Sequence, residues 1–415
     1  MRNNILLISI IILGIFIRFY RLPELLSFSY EQALALESSG QMVRTGKISL
    51  IGVEYFIRRT SAGHSFFNSA FYLYPLSVIQ WIFGFDPLVT TIFFTTLNLL
   101  AVVGLYFLVK KYFSQSAANT ALTLFTFSPT MIDFSRSVWH VHLLVPVMAM
   151  VIWLLFKSLH PPKPLWLVWL GFTLGLGFGF NVSFVLALAI ALIICGYLLF
   201  QKHKPGYLYY VFAGVVLGNL PTLIFDLRHH FYNTITFLTF LLEMFSGPKT
   251  GFSFEPYHFI YLLVPIFILT SIILSRYLPK SLTVFFLAIY VLISVPGWRL
   301  GSKYPKGMPA GTNLQTIRQI SSLITQDAHS DYEVASILDG ETRAENLRYF
   351  LSYVDGKPSM PSDKYPDAKL LYVVSYLDQD PLTKHVWELD SIKPAKISQE
   401  WKINKLIKLS KLEKL

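Results

Sequence analysis

The stretch F-F-N-S-A-F-Y-L-Y-P-L-S-V-I-Q-W-I-F, Phe66–Phe83, is apolar enough to be read as a membrane span, and whether it crosses decides the side on which every later loop lies. Asn68, Tyr72, Tyr74, Gln80 and Trp81 interrupt it, and Pro75 weakens a straight helix, so the segment reads as a helix lying in the membrane interface. The loop charges agree with that reading. If the chain first crosses back at Leu88–Val109, the short inner loops carry Lys110 and Lys111, Lys157 and Lys163, Lys202 and Lys204, and Arg276 and Lys280, beside Arg2. Every inner loop is then basic, as the positive-inside rule requires. The opposite arrangement puts all those lysines outside.

Composition sets the class. Of 415 residues, 53% are hydrophobic and only 14% charged, too apolar for an ordinary soluble chain. Apolar runs at Ile5–Tyr20, Leu88–Val109, Ala117–Ile132, Val141–Phe156, Leu165–Phe180, Phe184–Phe200, Leu208–Phe225, Phe259–Leu274 and Leu282–Val295 predict nine spanning helices, N-terminus inside. The first resembles a signal h-region, but no A-x-A-like site follows and it is read as a retained helix. The net charge of +11 lies in the membrane part, with 19 Lys/Arg against 9 Asp/Glu before Gly301 and 16 against 15 after it. Lipid phosphates, not nucleic acid, are the matching partner. The lone Cys195 sits in an apolar run, which excludes a disulfide framework.

With this topology all nine acids of the membrane part, from Glu24 to Glu255, fall on or near the outer side. After a Gly/Pro/Lys linker at 301–312, residues 313–415 read as a small outer α/β domain. Leu314, Ile317, Ile320 and Ile324 form a helical stripe; Val334–Leu338 and Leu370–Tyr376 are predicted strands, Glu341–Tyr353 a helix, and Trp401–Leu409 a closing strand. The fold class is therefore a polytopic all-α membrane domain (1–300, with a first outer loop at 22–85 holding interfacial helices) carrying a small C-terminal α/β domain.

Four side-chain groups on the outer side are candidates for chemistry. Glu31, in F-S-Y-E-Q at the start of a helical pattern, suits a general base held in a desolvated cleft, or else a solvated acid near a helix N-terminus capped by Ser27 or Ser29. Asp133 and Arg136, near His140 and His142, could hold a phosphate, anchor the interface or pair at i, i+3. Asp226, Arg228 and His229, beside His230, offer phosphate or acceptor contacts, or snorkelling groups at a helix end. Arg58, Arg59 and His64 fit a donor phosphate and anionic headgroups equally well. Gly171, Gly175, Gly177 and Gly179 lie in a span with no Lys-Ser/Thr after them, which points to close helix packing. No cofactor is required by any motif, although the acids and histidines leave room for a divalent metal.

A first helix followed by an acid in a long outer loop, F-G-F-D-P at Phe83–Pro87, L-F-T-F-S-P-T-M-I-D-F-S-R at Leu124–Arg136, G-F-T-L-G-L-G-F-G-F at Gly171–Phe180 and L-P-T-L-I-F-D-L-R-H-H-F at Leu220–Phe231 resemble, in order and spacing, the GT-C glycosyltransferases. The protein O-mannosyltransferase and aminoarabinose transferase branch is the nearest. The resemblance covers about the first 300 residues. It implies transfer of a sugar from a polyprenyl-phosphate donor to an acceptor on the outer face of a cell membrane, with bacterial plasma membrane the expected site. It also implies that the acid of the first outer loop, usually aspartate, is the base. Glu31 stands there and reaches one methylene further, so a non-catalytic glycan- or partner-binding relative is the competing expectation. A transporter would place charges in mid-span, and the span centres here are nearly free of them.

The topology is checked with Lys111→Cys: an impermeant thiol reagent should leave it unlabelled in intact cells and label it after permeabilisation. Labelling in intact cells would invert the molecule.

Overall fold

The computed structural model describes residues 2–159, 162–246, 255–328, 331–361 and 363–415; the side chains of 2–4, 56–58, 159 and 245–246 are outside the description. The chain begins with α1 (Arg2–Phe19), a short α2 (Leu22–Leu25) and α3 (Tyr30–Thr45). Next come the hairpin β1 (Ile51–Arg59) and β2 (Ser65–Ser69), then α4 (Leu73–Phe83). The apolar helices follow as α5 (Pro87–Tyr112), α6 (Gln115–Phe127), α7 (Pro129–Ser135), α8 (Leu144–Leu159), α9 (Pro164–Phe180), α10 (Val185–Gln201), α11 (Leu208–Gly218), α12 (Leu220–Arg228), α13 (Tyr232–Ser246), α14 (Leu263–Tyr277) and α15 (Lys280–Ser294).

The stretch that decides the topology is not one helix. Phe66–Ser69 belongs to β2, antiparallel to β1, and only the 11 residues of α4 are α-helical. At 1.5 Å per residue α4 is about 16 Å long, roughly half a hydrocarbon core. It packs on α3, where Gln80, 1% exposed, donates to the Leu36 carbonyl (2.9 Å) and Ser77 to that of Ser39 (3.1 Å).

The nine expected runs do not all form single continuous helices. Among the described residues five helices are long and apolar enough to cross: Pro87–Tyr112, His140–Ser158, Val182–Gln201, Pro256–Tyr277 and Lys280–Trp298. Leu208–Phe225 is broken by a 67° bend between α11 and α12, where Pro221 denies an amide to the ladder. Ala117–Ile132 is broken at Ser128, which leaves the helix in extended geometry and caps α7 before Pro129. Ile5–Phe19 and Pro164–Phe180 are apolar but shorter.

The glycine-rich run works as a packing face. A Cβ on Gly171 would lie 1.9 Å from the Val211 carbonyl oxygen, and one on Gly214 would lie 2.1 Å from that of Val168. The α9 and α11 backbones touch there, which only glycine allows. Gly179 similarly admits Ser69 of β2.

The C-terminal unit holds α16 (Leu314–Asp327), β3 (Tyr332–Ser336), α17 (Glu345–Tyr349), β4 (Leu370–Tyr376), α18 (Trp387–Asp390), β5 (Ala395–Lys402) and β6 (Ile407–Lys414). Its sheet runs β3-β4-β6-β5, with β3 parallel to β4 and the remaining pairs antiparallel. The expected closing strand at Trp401–Leu409 is instead the end of β5, a turn and the start of β6. Asn404 makes the turn, its Oδ1 accepting from the amides of Leu406 (2.8 Å) and Ile407 (3.1 Å).

Gly171→Val is expected to abolish monodisperse protein in detergent size-exclusion chromatography, whereas Gly196→Ala, with open space around it, should behave as wild type.

Candidate active site at the outer junction

Glu31 occupies the first turn of α3. Ser29 begins the helix, its amide donating 2.9 Å to Gln32 Oε1, so the side chain of the third helical residue reaches back to the cap. The turn is fixed from outside as well. Ser27 pairs with Ser137, and its amide donates to the Arg136 carbonyl (3.1 Å). Glu31 is half-buried and close enough to Tyr72 for its charge to add to the burial that already raises the phenol's pKa. Tyr72 is 1% exposed, with the His140 ring 5.5 Å away. His140 also meets Tyr55 at 6.2 Å and Trp139 at 5.6 Å. Trp139 packs on Tyr257 at 4.8 Å and on His142 at 5.3 Å. Asn181 bonds His258 Nδ1 at 3.1 Å. Residues from four separated stretches thus line one aromatic, histidine-bearing wall beside Glu31.

Of the other expected site residues, several have structural posts. Arg136 is 2% exposed, and its guanidinium donates to the carbonyls of Ile17 (2.5 Å), Arg18 (3.4 Å) and Trp298 (3.0 Å). That commits it to tying three segments, not to an open phosphate. Asp133 pairs with Lys306 of the linker at 3.5 Å rather than with Arg136. Burial raises the Asp133 pKa, and Lys306 partly offsets the shift. Asp226 is 2% exposed and holds the start of α13, accepting from the amides of Asn233 (2.8 Å) and Thr234 (3.2 Å) and from the Thr234 hydroxyl (2.5 Å). Its role as a substrate ligand is replaced by that of a helix anchor.

Arg228 and His229 are exposed, the His229 ring stacked on Phe225 at 4.2 Å. Arg59 faces Glu54 at 3.3 Å, and His64 lies exposed beside Tyr232 at 6.1 Å. The Arg58 side chain lies outside the described residues. The hairpin carrying these groups is hooked to α13, where Glu243 accepts from the Ser61 amide (2.8 Å) and hydroxyl (2.6 Å). Among the described residues no three His, Cys, Asp or Glu side chains gather as a metal site.

On its other side the first turn of α3 borders a cavity of about 240 Å³, lined by Ser29, Tyr30, Met308, Asp339, Glu341 and Asn346 among others. The C-terminal unit closes this cavity by docking on α3 and α4. Tyr349 donates to the Phe85 carbonyl (2.6 Å) and accepts from Gln80 (3.1 Å); the Arg44 guanidinium lies 4.0 Å over the Tyr353 ring. Arg318 pairs with Asp86 at 2.5 Å. Acidic charge is crowded at the seam. Burial, reinforced by Glu345, pushes the Glu341 carboxyl up to about 7, and burial pushes the Tyr30 phenol up to about 12 with Glu345 and Glu341 adding to it.

Residues 69–225 match the family model described as dolichyl-phosphate-mannose-protein mannosyltransferase. No curated protein matches the sequence. Two solved structures share the fold: ArnT from Cupriavidus metallidurans bound to undecaprenyl phosphate (TM-score 0.62, 11% identity, 97% of each chain covered), and the same enzyme in the apo state (TM-score 0.57, 12% identity, 100% of this chain and 99% of that one).

The raised carboxyls set the pH response. Burial holds the Glu341 and Glu333 carboxyls near 7 in the fold, above the ordinary value of 4.5. Between those values the folded chain binds more protons than the unfolded one, so stability falls as pH rises. The unfolding midpoint in detergent should be higher at pH 5.5 than at 7.5, and Glu341→Gln should shrink that difference. A midpoint that rises toward pH 7.5 contradicts the assignment.

Over nearly its whole length the chain thus shares the fold of ArnT, and the segment 69–225 within it is similar to the mannosyltransferase family.

Proposed function

We propose that the protein transfers a sugar from a polyprenyl-phosphate donor to an acceptor hydroxyl at the outer surface of a multi-pass membrane domain, with Glu31 as general base. The observation that carries this reading is the position of the first turn of α3. Glu31 is half-buried against the aromatic wall of Tyr72 and His140, while its neighbour Tyr30 borders the seam cavity. The turn therefore lies between an aromatic, histidine-bearing wall and the seam cavity, an arrangement suited to a lipid donor approaching from one side and an acceptor from the other. In the step, Glu31 takes the proton of the acceptor hydroxyl as its oxygen attacks the anomeric carbon. The bond from that carbon to the phosphate oxygen breaks, and its electron pair leaves with the polyprenyl phosphate.

The exposed Arg228, His229, Arg59 and His64 ring the hairpin at the expected headgroup level, where cations attract the donor phosphate. The same reading places the N-terminus in the cytoplasm and residues 313–415 outside, as the basic loops require. ArnT has been crystallised with undecaprenyl phosphate, which supports a lipid phosphate of that class as the carrier here. A non-catalytic binding role would not require a carboxylate in a desolvated turn.

Glu31→Gln should lower transfer from polyprenyl-phosphate sugars by about 100-fold or more, the lower end of what a positioned base contributes, with unchanged donor binding. Equal turnover by the variant and wild type would remove Glu31 from the mechanism.

A further inference from the structure

Buried polar atoms without a hydrogen-bond partner cluster in one short stretch. Of eleven such side-chain atoms among the described residues, three lie within Ser137–His142: Ser137 Oγ, Trp139 Nε1 and His142 Nε2. Leaving such a group unmatched is costly, so a concentration of them calls for a ligand or for water. Ser137 and His142 are 3% and 7% exposed, and the stretch is fixed to the candidate base through the Ser27–Ser137 pair, four residues before Glu31.

Their chemistry is specific. His142 Nδ1 lies 3.3 Å from the Ser137 carbonyl, which can only accept, so this nitrogen carries the proton and Nε2 presents a lone pair. Trp139 Nε1 can only donate, and the Ser137 hydroxyl can do both. An anion would call for donors alone and a cation for acceptors alone; one acceptor, one donor and one hydroxyl together match a neutral polyhydroxylated ring. The surroundings are aromatic: His142 is stacked on Phe134 at 4.3 Å, and Trp139 lies against Tyr257 at 4.8 Å.

We infer that the Ser137–His142 turn is the receptor for the sugar ring of the lipid-linked donor, His142 Nε2 accepting from one sugar hydroxyl and Trp139 Nε1 donating to another. The inference rests on the transferase reading and assigns that site's sugar contacts. It makes the turn, rather than the cations of the hairpin, the part that distinguishes a sugar-bearing donor from the spent carrier.

The test compares wild type, His142→Phe and Trp139→Phe in nanodiscs. Thermal shifts are recorded with bare polyprenyl phosphate and with mannosyl and aminoarabinosyl polyprenyl phosphates. Wild type should show an added shift for at least one sugar-bearing lipid over the bare one. Both variants should keep the bare-lipid shift and lose the increment, with donor KM raised about three- to tenfold, the range of one neutral hydrogen bond. Without ligand, His142→Phe should unfold within a few degrees of wild type, because the ring shape is kept and loss of the Nδ1–H bond to the Ser137 carbonyl is offset by removal of the unmatched Nε2 acceptor. A retained increment with unchanged KM, the absence of any increment in wild type, or equal loss of the bare-lipid shift would overturn the inference. Wild type that binds sugar-bearing lipid but transfers nothing would instead refute the transferase reading and leave the receptor standing.

Discussion

Arg136 joins more of the molecule than any other side chain near the site. Its guanidinium donates to the carbonyls that end α1, at Ile17 and Arg18, and to Trp298 where the last apolar helix gives way to the linker. Its own carbonyl accepts from Ser27, the start of the outer loop that carries Glu31. Arg18, fully buried, adds bonds from α1 to the carbonyls of Thr126 (2.9 Å) and Phe125 (3.3 Å) at the end of α6. Among the described residues neither arginine has a carboxylate partner. Carbonyls at helix ends carry partial negative charge, so several of them converging on a guanidinium can stabilise it without a direct ion pair, with Asp133 adding a favourable charge near Arg136. A lysine could not replace either residue, because a point charge lacks the planar fork that reaches separate carbonyls.

That junction explains why Glu31, Asp133 and Asp226 differ so much in role. Once Ser27 is fastened to Arg136, the next turn of chain brings Glu31 beside Tyr72, which follows the β1–β2 hairpin. Asp133 points the other way and holds the linker through Lys306. Asp226 is too far buried to meet a ligand and instead fastens α13, while Asn233 of that helix bonds both the amide (2.7 Å) and the carbonyl (3.2 Å) of Phe67 in β2. The hairpin is thus set from below by α13 and from the side by α9, whose Gly179 leaves room for Ser69.

The sequence made the class and much of the order of elements legible, because apolar length and basic loops are local signals. Glu31 stood out because it follows an aromatic pair and a cap residue, both readable in F-S-Y-E-Q. What could not be read was contact between distant segments. Asp226 and Arg136 look like ligands in a list of charges, and only folding reveals that backbone amides and carbonyls absorb them. Conversely Trp139, Tyr257 and His258 gave no signal, since an aromatic ring at a helix boundary is ordinary in a membrane protein. The hairpin was missed because Phe66 and Phe67 of β2 lead through Ala70–Tyr72 directly into apolar α4, and periodicity cannot divide such a run between strand and helix.

The C-terminal unit is less separate than its composition suggests. Leu314, Ile317, Tyr349 and Phe350 belong to the same buried cluster as Phe28, Leu36 and Leu73 of the first outer loop, and only a smaller second cluster around Leu371 and Val373 is internal to the sheet region. Gly40 shows how close the approach is: a Cβ there would lie 2.6 Å from the Tyr353 ring. The seam is therefore a packed core in which the crowded carboxyls of Glu341 and Glu345 sit at one edge. Proteins place such desolvated acids together only at a cost in stability, and here the cost falls on the wall of a cavity next to the turn of Glu31. A unit held this firmly cannot act as a freely tethered module. Its contribution is to hold α3 along one side, while Arg136 holds Ser27 just ahead of that helix, so that the first turn is fixed at both ends.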